Sequence, residues 1–293
     1  MLFDLSDRVK LRLTGADRVR FLNGQVTNDV RKANSNLSMP GCVVNAKGKL
    51  DAFVFISAND EALYLDADAE LRPNLQPRLE RYIIADDVEI TDVSERDALF
   101  HVTSETAPAL PNESNWRRTR RFGMPGWDLV APAGEGKLIR QKLAAEIPLC
   151  DAVCAEQLRI EHGVPRWGRE LTSEIIPVEA NLAEDAIDYA KGCYIGQEVI
   201  SRMKMSGQTN KRLCGLTSLQ DAPLTVGMRL TSMNDEGKEI GWITSAIRSH
   251  RLGKEIALGY IKRGHNEIGT RLKAADASGQ DSQTIEIVAL PFC

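Results

Sequence analysis

Charged and apolar positions alternate over residues 8–14 (RVKLRLT), the period of a half-buried strand. Asp17 follows, placed to N-cap a short helix over residues 18–23 that Gly24 stops. Residues 41–57 (GCVVNAKGKLDAFVFIS) read as two apolar strands around the turn Ala46-Lys47-Gly48-Lys49, and residues 62–65 as a third strand. Leu71, Leu75, Leu79 and Tyr82 recur at helical spacing, although Pro77 predicts a late start or a kink. Residues 88–93 and 99–103 read as strands, 104–115 as a polar exposed loop, and 116–131 as two strands around Gly123-Met124-Pro125-Gly126. A helix is predicted over residues 136–147, with Leu138, Ile139, Leu143 and Ile147 on one side, and another over 151–162 with Gly163 as its stop. Residues 164–192 are irregular and polar, a length that usually marks function or disorder. From Arg212 onward, short strands and glycine turns predict a small all-β module, with Ile240, Trp242, Thr244 and Ala246 alternating along one strand.

Composition narrows the function classes. The chain has 293 residues, 43% of them hydrophobic, enough for two or three cored domains. Its formal net charge of -4 supplies no basic field for phosphates, which argues against direct nucleic-acid binding. Arg117, Arg118, Arg120 and Arg121 form a basic run, read here as the solvated face of a strand. No apolar run is long enough for a membrane span, so no membrane partner is expected. Asp4 and Asp7 break the apolar start expected of a targeting peptide, so a cytoplasmic protein is expected, or a matrix protein if it comes from an organelle.

There are six cysteines, at 42, 150, 154, 193, 214 and 293, and no C-x-x-C pair. They match neither a zinc site nor a disulfide framework and read as reduced thiols, mostly buried. Cys193 is the exception. It sits in Lys191-Gly192-Cys193-Tyr194-Ile195-Gly196-Gln197-Glu198, where a neighbouring ammonium would favour the thiolate.

That segment resembles the K-G-C-[FY]-x-G-Q-E signature of the YgfZ family. Residues 13–29 (LTGADRVRFLNGQVTND) are similar to the family's opening segment, and residues 256–265 (IALGYIKRGH) to its barrel. Residues 158–169 (LRIEHGVPRWGR) and 176–181 (IPVEAN) resemble runs shared with the glycine-cleavage T-protein. The resemblance implies an α+β, T-protein-like fold with two α+β domains around a central folate site and a C-terminal small β-barrel. It divides the chain into a discontinuous first domain (1–50 and 151–205), a ferredoxin-like second (51–150) and a barrel (206–293).

The function it implies is a tetrahydrofolate-binding accessory protein of iron–sulfur cluster assembly or repair. Such a protein would support tRNA modification indirectly, through cluster enzymes, and its partners would be assembly or client proteins. An aminomethyl or one-carbon transferase and a non-catalytic folate-binding regulatory module are the alternatives. A cluster wants about four thiolates, so Cys193 is expected to be at most a transient ligand shared with a partner. Asp128, in Gly126-Trp127-Asp128-Leu129, falls where the T-protein's acid holds the pterin, since a carboxylate can accept both ring N–H groups. Arg159 falls where the T-protein's arginine contacts folate; the alternative is a helix-surface arginine paired with Glu156 or Glu161. Lys191 and Glu198 are expected to serve Cys193, with Tyr194 and Gln197 at the rim of the folate site. Asp51 keeps one of the T-protein's paired acids while Ala52 takes the other place, and a transferase whose essential acid is the missing one would be inactive.

Overall fold

A computed structural model describes residues 1–109, 116–233, 235–276 and 282–292, without the side chains of 235–237. The chain forms two compact units, one of Met1–Ala152 with Leu182–Ser201, the other of Val153–Asn181 with Arg202–Cys293.

Among its described residues unit 1 holds nine strands: β1 (Leu2–Asp4), β2 (Val9–Thr14), β3 (Met39–Val44), β4 (Leu50–Ala58), β5 (Leu63–Ala67), β6 (Glu89–Asp92), β7 (Asp97–Thr103), β8 (Trp116–Thr119) and β9 (Gly126–Pro132). They pair into a five-stranded antiparallel sheet, β3-β4-β5-β2-β6, and a four-stranded one, β1-β7-β9-β8. The hairpin expected at residue 48 joins β3 to β4. Its turn is held by Asn45, whose Oδ1 accepts from the amides of Lys47 and Lys49. Along β4 the side chains of Ala52, Val54 and Ile56 are fully buried on one face, while Asp51, Phe53, Phe55 and Ser57 lie on the other. In the smaller sheet Leu2, Phe100, Val102 and Leu129 pack against Leu143 of the helix Ala133–Glu146.

Several local expectations change in the folded chain. Asp17 does not cap the helix Arg18–Gln25; its carboxylate accepts the amide of Asp87 instead. That helix runs through Gly24, because burial of Phe21, Leu22 and Gln25 outweighs the roughly 1 kcal/mol a helical glycine costs. The helix Arg72–Glu80 carries Pro77 in its interior, without the N–H that would reach the Pro73 carbonyl. Leu138 is 55% exposed, because it is rotated about 100° from Ile139 and so leaves the Ile139–Leu143 face. Cys150 and Cys154 are disulfide-bonded rather than thiols; their spacing of four starts before the helix Ala152–Glu161 does. The expected loop at 104–115 lies partly outside the described residues.

Unit 2 contains the β-module expected after residue 205. Strands β10 (Lys211–Ser218), β11 (Arg229–Ser232), β12 (Asp235–Ser249), β13 (Lys254–Lys262), β14 (Arg271–Ala275) and β15 (Ser282–Val288) close into a barrel in the order β10-β13-β12-β11-β14-β15. Closure leaves no sheet edge, and Leu216, Leu230, Ile243, Ile261, Leu272 and Ile285 fill the interior. Among the described residues no helix is long and apolar enough to cross a membrane.

Candidate functional site

Two of the motif segments meet in unit 1. Lys191 is buried, and its ammonium donates to the backbone carbonyls of Asn23 (2.7 Å), Val26 (2.7 Å) and Asn28 (2.8 Å), 163 to 168 residues away in sequence. The same stretch is tied down by its own side chains. Thr27 Oγ1 donates to the carbonyl of Ala186 and accepts the amide of Cys42, while Asn28 Nδ2 donates to the carbonyls of Pro40 and Asp185. Burial pushes the Lys191 ammonium down to about 8, and the three carbonyls favour its charged form. An ammonium has three donors and all three are used, so Lys191 has none left for the Cys193 thiolate. Its role is to pin the loop.

Further anchors hold the rest of the loop. Tyr194 is buried, with its ring centroid 5.1 Å from the Lys191 ammonium. Burial raises its pKa, and among the described residues its hydroxyl has no hydrogen-bond partner. Gly196 turns with φ +79, and a Cβ there would stand 2.5 Å from the Asn45 carbonyl oxygen, so this approach to the β3–β4 turn requires glycine. Gln197, half-buried, and Glu198, exposed, open the helix Gln197–Ser206, which places the Glu198 carboxylate in a favourable first turn. Between these anchors Cys193 is exposed and free.

Asp51 reaches the foundation of this loop through Arg78. Arg78 Nε donates to Asp51 Oδ2, Nη1 to Gln25 Oε1 (3.1 Å) and Nη2 to the Val44 carbonyl (2.8 Å). Because β4 alternates, position 52 faces the core, and an acid there would be buried on the opposite face from Asp51.

Asp128 lies in a separate buried cluster. Arg121 donates to both of its oxygens from Nε (2.8 and 2.9 Å) and again from Nη2 (2.7 Å), and His101 Nδ1 sits 2.9 Å from Oδ1. Arg121 also grips Asp66 through Nη1 (2.8 Å) and Nη2 (2.6 Å), and Asp66 accepts from Arg8 Nε (2.6 Å). Burial alone would raise the Asp128 carboxyl; Arg121 and His101 outweigh it and hold the group below the usual carboxylate range. Burial keeps His101 neutral by pushing its pKa down. The carboxylate edge expected to face a pterin is therefore taken by Arg121, which keeps one of its five donors unspent. A small pocket, open to solvent on one side, lies against Asp128, Arg121 and Asp66.

Arg159, in unit 2, is only 4% exposed. It pairs with Glu156 through Nε (2.7 Å) and Nη2, with Glu170 through Nη1 (3.0 Å), and with Ser245 through Nη2 (2.6 Å); Nη1 also donates to the Val164 carbonyl (3.3 Å). All five donors are spent, and the helix arginine is buried rather than solvated.

Sequence reading missed Arg121, Asp66, Arg8 and His101. The run Trp116 to Arg121 carried a usable signal. In strand alternation Arg117, Thr119 and Arg121 turn inward while Arg118 and Arg120 are exposed, so the run is two faces rather than one solvated face. Among the described residues no three His, Cys, Asp or Glu side chains group as a metal ion requires.

A two-sheet unit with a second unit carrying a closed six-stranded barrel defines a T-protein-like fold. Residues 211–293 match the glycine cleavage T-protein C-terminal barrel domain. The whole chain superimposes on 86% of the glycine cleavage system aminomethyltransferase T from Bartonella henselae, with a TM-score of 0.87 at 19% identity. In sequence it is 28% identical to the aminomethyltransferase of Shouchella clausii (strain KSM-K16) over 93% of this chain and 81% of that one. It is 29% identical to the tRNA-modifying protein YgfZ of Aliivibrio fischeri (strain MJ11) over 84% of this chain and 80% of that one.

Proposed function

We propose that this protein is a cytoplasmic, reduced-folate-binding accessory factor that presents Cys193 to proteins making or carrying iron–sulfur clusters. The observation that carries the reading is the build of the 191–198 loop. Its buried ends are fixed by Lys191, Tyr194 and Gly196, and its one exposed reactive group is a free thiol. A fixed, exposed thiol suits exchange with another protein more than chemistry in a closed pocket. Support for tRNA modification would follow indirectly, through cluster-containing enzymes.

The cysteine inventory bears on which kind of cluster role is feasible. Cys42 and Cys214 are buried, and burial pushes their thiols up to about 12 and about 11, so neither offers a thiolate. Among the described residues Cys193 is the one exposed free thiol, short of the roughly four thiolates a cluster needs, so a cluster role would draw further ligands from a partner. For the folate, the Asp128–Arg121 pair offers a planar charged wall with one free N–H rather than a free carboxylate. The pterin would lie against that wall, and its ring N–H groups would not be held by Asp128. The transferase alternative leans on Asp51, whose carboxylate is held by Arg78.

The test is calorimetric titration of the intact protein with tetrahydrofolate, paired with activity of iron–sulfur enzymes in cells lacking the protein. Micromolar binding is expected, together with loss of enzyme activity that wild type restores and Cys193→Ser does not. Absence of tetrahydrofolate binding would remove the folate half of the proposal.

A further inference from the structure

Cys150 and Cys154 share a disulfide at the point where a strip of chain bonded to β1 becomes a helix. The strip is fixed by backbone. Leu2 donates its amide to the Pro148 carbonyl (2.9 Å) and accepts the Cys150 amide on its own carbonyl (2.8 Å). Cys154 stands in the first turn of the helix Ala152–Glu161. That turn leads into Glu156, whose carboxylate accepts from Arg159 Nε (2.7 Å) and Arg166 Nη1 (3.2 Å). In a helix, side chains four residues apart have Cβ atoms about 5–6 Å apart, while a disulfide needs about 3.5–4.5 Å. The bond and an unbroken helical turn over 150–154 therefore exclude one another, and the helix begins only at Ala152.

The bond is within reach of other thiols. Asp151, Ala152 and Val153 complete its ring and are exposed; Cys154 is half-buried, and Cys150 is buried. Exchange therefore starts at Cys154. An attacking thiolate bonds to the Cys154 sulfur, and the Cys150 sulfur leaves with the electron pair and takes up a proton. A second outside thiolate then attacks the outside sulfur of the mixed disulfide and releases Cys154. One protein disulfide and two outside thiols become two protein thiols and one outside disulfide, and the reverse sequence closes the bond. The released Cys154 sulfur lies in the first turn of a helix, where negative charge is favoured, and this assists opening. A ring this short constrains the unfolded chain less than a long one, so stability is the weaker reason for the bond.

We propose that Cys150 and Cys154 form a reversible redox switch, worked by a small thiol–disulfide couple of the glutathione type. Oxidation clamps the first turn of the helix Ala152–Glu161, and reduction frees it. The switch uses no residue of the 191–198 loop. In the cytoplasmic setting proposed above the dithiol is the resting form. The exchange chemistry itself does not depend on that setting.

The experiment equilibrates the intact protein, as wild type and as Cys193→Ser, in buffers running from reduced to oxidised glutathione. Thiols are trapped by alkylation and located by peptide mass, and amide exchange over residues 152–156 is followed in the two end buffers. Cys150 and Cys154 should be alkylated together in reduced glutathione and together protected in oxidised glutathione, in both proteins. Exchange over residues 152–156 should be roughly tenfold slower with the bond closed. A bond that survives reduced glutathione would make the pair a structural staple and overturn the proposal. So would cysteines that remain alkylated, or carry glutathione in place of the bond, in oxidised glutathione. Equal amide exchange in the two states, or a closure lost in Cys193→Ser, would overturn it as well.

Discussion

The Arg121 cluster and the 191–198 loop are both built on buried charge, and they use it differently. In the cluster, Arg121, Asp66 and Asp128 satisfy one another, and a single Arg121 donor remains for anything outside. In the loop, the Lys191 charge is consumed by three backbone carbonyls, and the chain between the anchors carries an exposed Cys193. Matched side-chain charges lock two sheets of unit 1 together. A charge matched by backbone fixes one strip of chain and leaves its neighbouring side chain available. The residues that resemblance assigned to folate, Asp128 and Arg159, are bonded in the first way, while the 191–198 loop leaves Cys193 exposed.

The largest expected effects test whether those locks are structural. Asp128→Ala strands Arg121 and His101, and Arg159→Met strands the buried Glu170. Each should cost about 3–5 kcal/mol in urea unfolding. A near-neutral result for either would mean that its charges find other partners and that the residue is free for a ligand. The next effect belongs to the loop. Lys191→Met leaves three carbonyls unsatisfied, each worth about 1 kcal/mol, so a loss of about 3 kcal/mol is expected, with faster amide exchange over residues 191–198. Unchanged exchange there would remove the pinning role.

A smaller, pH-dependent effect separates His101 from its neighbours. Its imidazole is held neutral by burial, below its ordinary value of 6.5. The unfolded chain takes up a proton near that pH which the folded protein refuses. The contribution of His101 is therefore present above 6.5 and is lost as the pH falls toward the lower folded value. His101→Asn, which keeps a donor toward Asp128, should flatten the stability profile below 6.5 by up to about 1.4 kcal/mol per pH unit. Identical slopes for variant and wild type would contradict a neutral buried imidazole.

Much of the architecture was legible in the sequence, because strands and hairpins are written in local alternation. The β3–β4 hairpin and the late barrel were readable for that reason. The tertiary reversals were not. Asp17 looked like a helix cap, and only the distant Asp87 amide shows why it is not. Lys191 and Cys193 single out the loop in the sequence, but the way it is anchored was not readable, since the partners of Lys191 are carbonyls that any residue type supplies. The Arg121 cluster was half-legible. Alternation along residues 116–121 would have turned Arg117 and Arg121 inward, whereas Asp66 and Arg8 join only through the fold.

The smallest stability effect carries the central claim. Cys193→Ser changes one exposed side chain and should shift unfolding free energy by no more than about 0.5 kcal/mol. The decisive measurement is iron–sulfur enzyme activity in cells whose only copy of this protein is Cys193→Ser, with protein level and tetrahydrofolate affinity checked as unchanged. The account predicts activity as low as in cells lacking the protein. Full activity in those cells would contradict it, and would leave the 191–198 loop as a structural clasp with an incidental thiol.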